Sequence, residues 1–128
     1  MKTGTGYCIL IVDDEPDVTQ MLAKLLAEHG FETYTVNNPL KAVEKAAAVR
    51  PDLIILDFIM PQLPGSEVAR MLRGYSATGD VPILFLSGAR DEDLRLIAKV
   101  SGATAFLEKP VDVAQLLEKI RGLLGAGS

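Results

Sequence analysis

Three carboxylates stand at the ends of two strongly apolar stretches of this sequence. Asp13 and Asp14 directly follow Cys8–Val12, and Asp57 directly follows Leu53–Leu56. Such unbroken apolar runs predict strands buried on both faces, so each acid lies where a buried strand reaches the surface. A single Asp in that place is commonly a helix cap or a turn residue. Two neighbouring strands that both end in acid predict a cluster of carboxylates instead.

The residue types of this cluster favour a cation site. Three carboxylates brought close together repel one another, and the repulsion is relieved when their pKa values rise or when a cation joins them. Ligands that are all oxygen, with room for water and phosphate, suit Mg²⁺, so we expect a magnesium site. Two further polar residues are expected at the same crevice, because Ser87 ends one predicted strand and Lys109 directly follows another. Formal charges of roughly −3 from the acids, +2 from the metal and +1 from the lysine balance.

A carboxylate beside Mg²⁺ and a lysine is suited to attack on a phosphoryl group. The two cations neutralise the phosphoryl oxygens while the carboxylate is held in line with the phosphorus. Asp57 is the expected nucleophile because its strand is central, and Asp13 and Asp14 are expected to hold the metal.

Five strand-then-helix units along the chain predict the elements that carry these residues. They indicate an α/β protein, a single doubly wound (βα)5 domain of the flavodoxin-like kind with a five-stranded parallel sheet. The first, third and fourth strands are apolar throughout, whereas the second and fifth alternate with polar residues and are expected at the edges. The order 2-1-3-4-5 satisfies this pattern and places the acids at the switch point, where ligands bind in such sheets. The predicted strands are 7–12, 31–36, 51–57, 81–87 and 103–108.

The predicted helices carry apolar residues at helical spacing. Pro16 begins the first helix and Gly30 ends it, Asn38 caps the second, and Asp112 caps the last. The residues expected to face the core are Val18, Met21, Leu22, Leu25 and Leu26; Val43, Ala46 and Ala47; Val68, Met71 and Leu72; Leu94, Ile97 and Ala98; and Val113, Leu116, Leu117, Ile120 and Leu124.

Composition and charge exclude several classes of function. The chain has 128 residues, 48% hydrophobic and 23% charged, which is the balance of one globular domain with a full core. A net charge of −4 without a basic cluster argues against direct binding of nucleic acid or of an anionic membrane. The single cysteine and the lack of a long apolar segment predict a cytoplasmic protein. We expect a tail at 1–6, the domain at 7–124, and a tail or linker start at 125–128.

These marks together resemble the receiver domain of two-component response regulators. The resemblance runs from Ile9 to about Leu124 and rests on residues that occur in the family's order at predicted strand ends and in the loop after the third strand. They are Asp13-Asp14, Asp57, Met60-Pro61, Gly65, Ser87 and Lys109-Pro110. The resemblance implies a signalling domain, not an enzyme with an external substrate, that promotes only its own phosphorylation and dephosphorylation.

Individual roles follow from the resemblance. Asp57 accepts a phosphoryl group from a sensor histidine kinase or a histidine phosphotransfer protein, and Lys109 pairs with the phosphate. Asp14, Asp57 and the backbone carbonyl of Ile59 ligate Mg²⁺ directly, whereas Asp13 acts mainly through bound water. The peptide bond before Pro110 is expected to be cis.

The resemblance also implies a switch and an output face. Ser87 bonds the phosphoryl group and Phe106 turns inward, and because Phe lacks a hydroxyl we predict a bias toward the inward state. Ile59 and Ala89 offer no group to orient water, which predicts slow self-dephosphorylation. The fourth predicted helix, the fifth strand and the last helix form the face that meets an output domain, a downstream protein or a second copy. Leu96 and Val100 are the candidate interface residues on that fourth helix.

Three other interpretations stay open. A receiver-like scaffold that works without phosphorylation is one of them, although every site residue is present. A Mg²⁺-dependent phosphatase of the haloacid dehalogenase type needs a second acid two residues after its nucleophile, where Ile59 stands. A nucleotide or flavin binder needs a glycine-rich loop after the first strand, where the sequence has Asp13-Asp14-Glu15-Pro16.

Overall fold

The computed structural model of the protein describes residues 6–88 and 105–125. Within these ranges the strands are β1 (Cys8–Val12), β2 (Glu32–Val36), β3 (Leu53–Asp57), β4 (Ile83–Ser87) and β5 (Ala105–Glu108). The helices are α1 (Pro16–Glu28), α2 (Ala42–Val49), α3 (Gly65–Arg73) and α4 (Val113–Leu124), with a short 3₁₀ helix at Pro39–Lys41. None of the helices in these ranges has both the length and the apolar character needed to cross a bilayer.

Several predictions concern residues outside the described ranges. The fourth predicted helix, with Leu94, Ile97 and Ala98, lies within 89–104, between the two described ranges. Ala89 and the candidate interface residues Leu96 and Val100 lie there too. The label α4 therefore denotes the last helix of the chain throughout.

The five strands form one parallel sheet in the order β2-β1-β3-β4-β5, as the sequence predicts. Val12 of β1 pairs with Leu56 of β3, and Asp57 of β3 pairs with Leu86 of β4. Because parallel strands all point the same way, their carboxyl ends meet at one edge of the sheet. This register brings the acids that follow β1 and end β3 side by side.

The core divides into two layers, one on each face of the sheet. Successive side chains of a strand point to opposite faces, so the fully apolar strands feed both layers. One layer joins Leu10, Ile54 and Phe85 to α2 and α3. The other joins Ile9, Ile55 and Leu84 to α1 and α4. The sheet is thus covered on both faces, which explains why β1, β3 and β4 are buried along their whole length.

Three residues predicted to face the core are exposed instead: Met21 by 58%, Met71 by 41% and Val113 by 44%. Each lies at the margin of its apolar stripe. Met21 precedes the buried Leu22, and one residue is about 100° around a helix, so only one of the two can point at the sheet. The buried stripe of each of these helices is therefore narrower than the apolar pattern predicts.

Local signals at the helix ends agree with the sequence. Gly30 ends α1 with a φ of 91°, a conformation that glycine adopts without a steric penalty. Asn38 Oδ1 accepts a hydrogen bond from the Leu40 N–H at 3.0 Å, although the turn it caps is the 3₁₀ helix that precedes α2. Asp112 Oδ1 accepts from the Gln115 N–H at 3.0 Å and caps α4.

Candidate functional site

Asp13, Asp14 and Asp57 converge at the carboxyl edge of the sheet. One carboxylate oxygen from each lies within 4.8 Å of the others. Asp13 and Asp57 are buried, whereas Asp14 is half-buried and leaves the cluster open to solvent on one side. The strand register therefore brings together the three acids that the sequence analysis singled out.

Lys109 lies over the same cluster. Its Nζ donates to Asp57 Oδ1 at 3.1 Å and lies 3.6 Å from Asp13 Oδ2. The Lys109 N–H donates to the Ser87 carbonyl at 2.7 Å, which continues the pairing of β5 with β4 up to the site. The peptide bond that follows Lys109 is cis, the isomer that the resemblance implies.

Burial sets the electrostatics of the site. Desolvation raises the pKa of Asp13 to about 6, despite a backbone hydrogen bond that opposes the shift. Desolvation likewise raises the pKa of Asp57, against the opposing effect of Lys109. Burial alone would lower the pKa of Lys109, but its contacts with Asp57 and Asp13 raise that pKa overall. The one half-buried ammonium of Lys109 does not fully compensate the two buried carboxylates.

One atom of the cluster has no hydrogen-bonding partner. Asp13 Oδ1 accepts from the Glu15 N–H at 3.0 Å, whereas Asp13 Oδ2 is buried and accepts no hydrogen bond, with Lys109 Nζ 3.6 Å away. A buried carboxylate oxygen in this state is costly unless a ligand completes it. Three carboxylates supply hard oxygen ligands, which fit Mg²⁺ better than a soft or nitrogen-preferring metal. The donor set and the orphaned oxygen therefore fit a magnesium ion.

Ser87, Phe106 and Ile59 occupy positions around this cluster. Ser87 ends β4 and is buried, one residue beyond the Leu86 that pairs with Asp57. Phe106 is half-buried and packs against the core layer that contains Phe85, its partner in the register. Ile59 leaves 60% of its surface exposed, and its N–H bonds the Asp57 carboxylate.

Gly65 supports the site through backbone contact. Its N–H donates to the Phe58 carbonyl at 2.9 Å. A Cβ at this position would stand 2.9 Å from the Phe58 Cα and would also collide with the Asp57 carbonyl. Only glycine lets α3 approach the end of β3 so closely. The sequence marks Gly65 as a motif residue but does not reveal this reason.

Asn37 and Thr19 are site residues that the sequence analysis missed. Asn37 Nδ2 donates to the Asp13 carbonyl and to Thr19 Oγ1, both at 2.9 Å. A polar residue after an edge strand is common, so Asn37 carries no signal in the sequence. Thr19 interrupts the apolar stripe of α1 yet is buried, which is the one hint that its hydroxyl has a partner.

The arrangement combines a buried nucleophile with a way to neutralise an incoming anion. Asp57 offers a carboxylate oxygen beside Lys109, and the neighbouring acids can hold a divalent cation. An anion with an electrophilic centre, such as a phosphoryl group, fits this combination better than a neutral substrate does.

Comparison with known proteins connects this geometry to a family. The family model described as "Response regulator receiver domain" matches residues 9–121. The response regulator MprA of Mycobacterium leprae is 39% identical over 116 residues, which cover 91% of this chain and 50% of MprA. The chain spans about half or less of the length of the first curated relatives it matches.

Solved structures give the same picture. The chemotaxis protein CheY4 of Vibrio cholerae superposes with a TM-score of 0.88 at 32% identity, covering 92% of this chain and 98% of CheY4. The receiver domain of the sensor histidine kinase PA1611 from Pseudomonas aeruginosa PAO1 superposes with a TM-score of 0.86 at 28% identity, covering 94% and 98% of the two chains. That structure has a magnesium ion coordinated in its active site cleft.

Proposed function

This chain belongs to the family of response regulator receiver domains, and from that premise we propose that Asp57 accepts a phosphoryl group from a sensor histidine kinase or a histidine phosphotransfer protein. The observation that carries the proposal is the convergence of three carboxylates, two of them in contact with Lys109, around a buried Asp13 oxygen that accepts no hydrogen bond. Within the family, this combination favours a working phosphoacceptor over a scaffold that acts without phosphorylation.

The transfer step uses Asp57 as the nucleophile. A carboxylate oxygen of Asp57 attacks the phosphorus, the bond from phosphorus to the donor's histidine nitrogen breaks, and its electron pair stays on that nitrogen. Lys109, 3.1 Å from Asp57 Oδ1, is close enough to hold a phosphoryl oxygen once the new bond forms. The burial of Asp57 excludes most water from the attacking oxygen.

Asp13, Asp14, Asp57 and the carbonyl of Ile59 are the proposed holders of Mg²⁺, with Asp13 acting mainly through water. Their support is the cluster of carboxylate oxygens and the magnesium ion coordinated in the PA1611 receiver domain. When bound, Mg²⁺ supplies positive charge that offsets the charge developing on the phosphoryl oxygens. The chain's own part is to hold these acids close together at the carboxyl edge of the sheet.

A signal leaves the site through Ser87 and Phe106 in this proposal. The Ser87 hydroxyl bonds a phosphoryl oxygen, and the movement lets Phe106 turn further inward. Support comes from the burial of Ser87 beside Asp57 and from Phe106, which is half-buried and pairs with β4. The receiving surface is the face of the fourth predicted helix, β5 and α4, which meets an output domain, a downstream protein or a second copy. Residues 7–124 are the proposed limits of the domain.

A small-molecule donor tests the proposal without knowledge of the kinase. The protein is incubated with acetyl phosphate or phosphoramidate and Mg²⁺, and its intact mass is followed. We expect one phosphoryl group per chain, localised to Asp57 after borohydride trapping, and none without Mg²⁺.

Two variants complete this test. Asp57→Asn should take no phosphoryl group, whereas Asp17→Asn, which changes an exposed acid in the first turn of α1, should match the parent. A parent that stays unmodified, or an Asp57→Asn variant that is modified equally well, would contradict the proposal.

A further inference from the structure

The backbone N–H and the backbone carbonyl of Asp13 both form hydrogen bonds with the chain at the end of β2. Its N–H donates to the Val36 carbonyl at 3.1 Å, and its carbonyl accepts from Asn37 Nδ2 at 2.9 Å. That carbonyl belongs to the planar peptide group that joins Asp13 to Asp14. A bond to it therefore fixes the direction in which both acids leave the chain.

The Asn37 amide also binds the first turns of α1. Its Nδ2 donates to Thr19 Oγ1 at 2.9 Å, and Thr19 Oγ1 donates to the Pro16 carbonyl at 3.0 Å. A hydroxyl has one hydrogen, so Thr19 must accept from Asn37, and the Asp13 carbonyl can only accept. Both contacts thus require the NH₂ group of Asn37. This amide joins three elements: the end of β2, the acidic turn and α1.

We propose that Asn37 is a positioning residue for the magnesium site, which rests on the proposed function above. Asn37 acts through the peptide between Asp13 and Asp14 and touches neither the metal nor the phosphoryl group. Without its amide, the peptide between Asp13 and Asp14 loses the bond to its carbonyl, and only the preceding peptide stays tied to β2, through the bond from the Asp13 N–H to Val36. The peptide between the two acids then gains freedom to rotate. The acids then sample arrangements that are less suited to a cation with strict geometry such as Mg²⁺.

Two features separate this role from ordinary structural support. Asn37 is exposed, so its removal leaves no cavity in the core. Its neighbour Asn38 makes a comparable hydrogen bond, to the Leu40 N–H at 3.0 Å, but that bond caps the 3₁₀ helix and does not reach the acids. Asn38 is therefore a matched control with the same side chain one position away.

The experiment compares Asn37→Ala with Asn38→Ala in the full chain. Calorimetric titration gives the Kd for Mg²⁺, and urea unfolding with and without Mg²⁺ gives the stabilisation that the metal provides. Loss of one or two hydrogen bonds predicts a Kd about three- to tenfold higher for Asn37→Ala. Asn38→Ala should keep the Mg²⁺ affinity of the parent, even though it lowers the stability of the metal-free protein.

A purely structural role gives a different result, in which both variants lose metal-free stability and neither changes its Mg²⁺ affinity. That result overturns the inference and leaves the proposed function standing. A parent that binds no Mg²⁺ removes the proposed function and this inference together.

A measurement on the parent covers the case in which Asn37→Ala does not fold. The side-chain amide signals of Asn37 in a ¹⁵N NMR spectrum should shift during a Mg²⁺ titration, whereas those of Asn38 should not. Asn37 signals that do not respond overturn the inference.

Discussion

The two ends of the sheet treat their charged side chains differently. At the amino end, Asp52 lies just before β3, and its Oδ2 accepts the Cys8 N–H at 2.7 Å while the residue stays exposed to water. At the carboxyl end, Asp13 Oδ2 is buried and accepts no hydrogen bond. One acid completes the backbone pairing of the sheet, whereas the other is kept in an unfavourable state.

The cations differ in the same way. Arg73 closes the connection between α3 and β4 by donating from Nη1 to the carbonyls of Thr78, Gly79 and Val81 at 3.3, 3.2 and 2.7 Å. Lys109 lies between two buried carboxylates whose pKa values are raised. The polar groups at the amino end find hydrogen-bonding partners within the protein, whereas the buried Asp13 Oδ2 at the carboxyl end accepts no hydrogen bond. The difference predicts that replacing a charged side chain lowers the stability of the metal-free protein at the amino end and raises it at the carboxyl end.

The largest effect is expected from the backbone under the site. Gly65→Ala places a Cβ against the Asp57 carbonyl and the Phe58 Cα, so α3 or the end of β3 must move. We expect a loss of about 3 kcal/mol in the free energy of unfolding. Urea unfolding measures this loss. Gly122→Ala in α4 is the control, because a Cβ added at this position would have no atom within 4 Å. A gain of about 0.5–1 kcal/mol in the free energy of unfolding is expected for this variant. Equal stability of the two variants would contradict the claim that a Cβ at position 65 collides with the end of β3.

The next effect concerns the amino end. Arg73→Met keeps much of the apolar stem but removes the donors to three carbonyls, so we expect a loss of about 2 kcal/mol in stability. Mg²⁺ affinity should not change, because Arg73 lies far from the acids along the sheet. Arg70→Met is the matched control, since the exposed ion pair of Arg70 with Glu67 contributes less than about 0.5 kcal/mol. A lower Mg²⁺ affinity in Arg73→Met would contradict the claim that the amino end of the sheet does not affect the acid cluster.

Asp13→Asn should act in the opposite direction and stabilise the metal-free protein. The pKa of Asp13 is raised to about 6 in the folded state from 3.8. Folding therefore favours the protonated acid, and the stability of the parent falls as the pH rises through this window. At pH 7 the neutral variant should be more stable by about 1–2 kcal/mol.

The pH dependence of urea unfolding without metal checks this prediction. Parent and Asp13→Asn should converge below about pH 3, where the acid is protonated in both the folded and the unfolded state, and should separate by pH 7. Added Mg²⁺ should narrow the gap, because the variant binds the ion more weakly. If Asp13→Asn is less stable than the parent at pH 7, the prediction is wrong. The charge of the buried Asp13 carboxylate is then already balanced by its partners in the protein.

The smallest effect concerns the rim of the site. Ile59 is 60% exposed and cannot orient water toward a phosphoryl group on Asp57. An amide at this position lowers the barrier to hydrolysis by up to about 1 kcal/mol, so Ile59→Asn should shorten the phosphoryl lifetime up to about fivefold. Loss of the trapped phosphoryl group over time gives the rate. Met71→Asn, which changes another exposed apolar residue, should decay like the parent. An unchanged rate in Ile59→Asn would remove Ile59 as a determinant of the lifetime.

Much of the fold and the acid cluster could be predicted from the sequence because both depend on burial patterns along strands. Fully apolar strands must be central, and their carboxyl ends then bring Asp13 and Asp57 together. Contacts that depend on exact distances could not be predicted. Met21 differs from Leu22 only by its angle around α1, and Asn37 meets a carbonyl 24 residues away that no spacing rule indicates. The need for glycine at position 65 likewise depends on how closely the backbone of α3 approaches the end of β3, a distance that the sequence does not indicate.

If the charges at the carboxyl end of the sheet are kept for a ligand, the parent protein should bind Mg²⁺ at pH 7. Calorimetry should find one Mg²⁺ site per chain, and urea unfolding should show stability that rises with Mg²⁺ concentration and returns to the metal-free value after chelation. If saturating Mg²⁺ gives no binding heat and no change in the free energy of unfolding, the acid cluster is not a cation site.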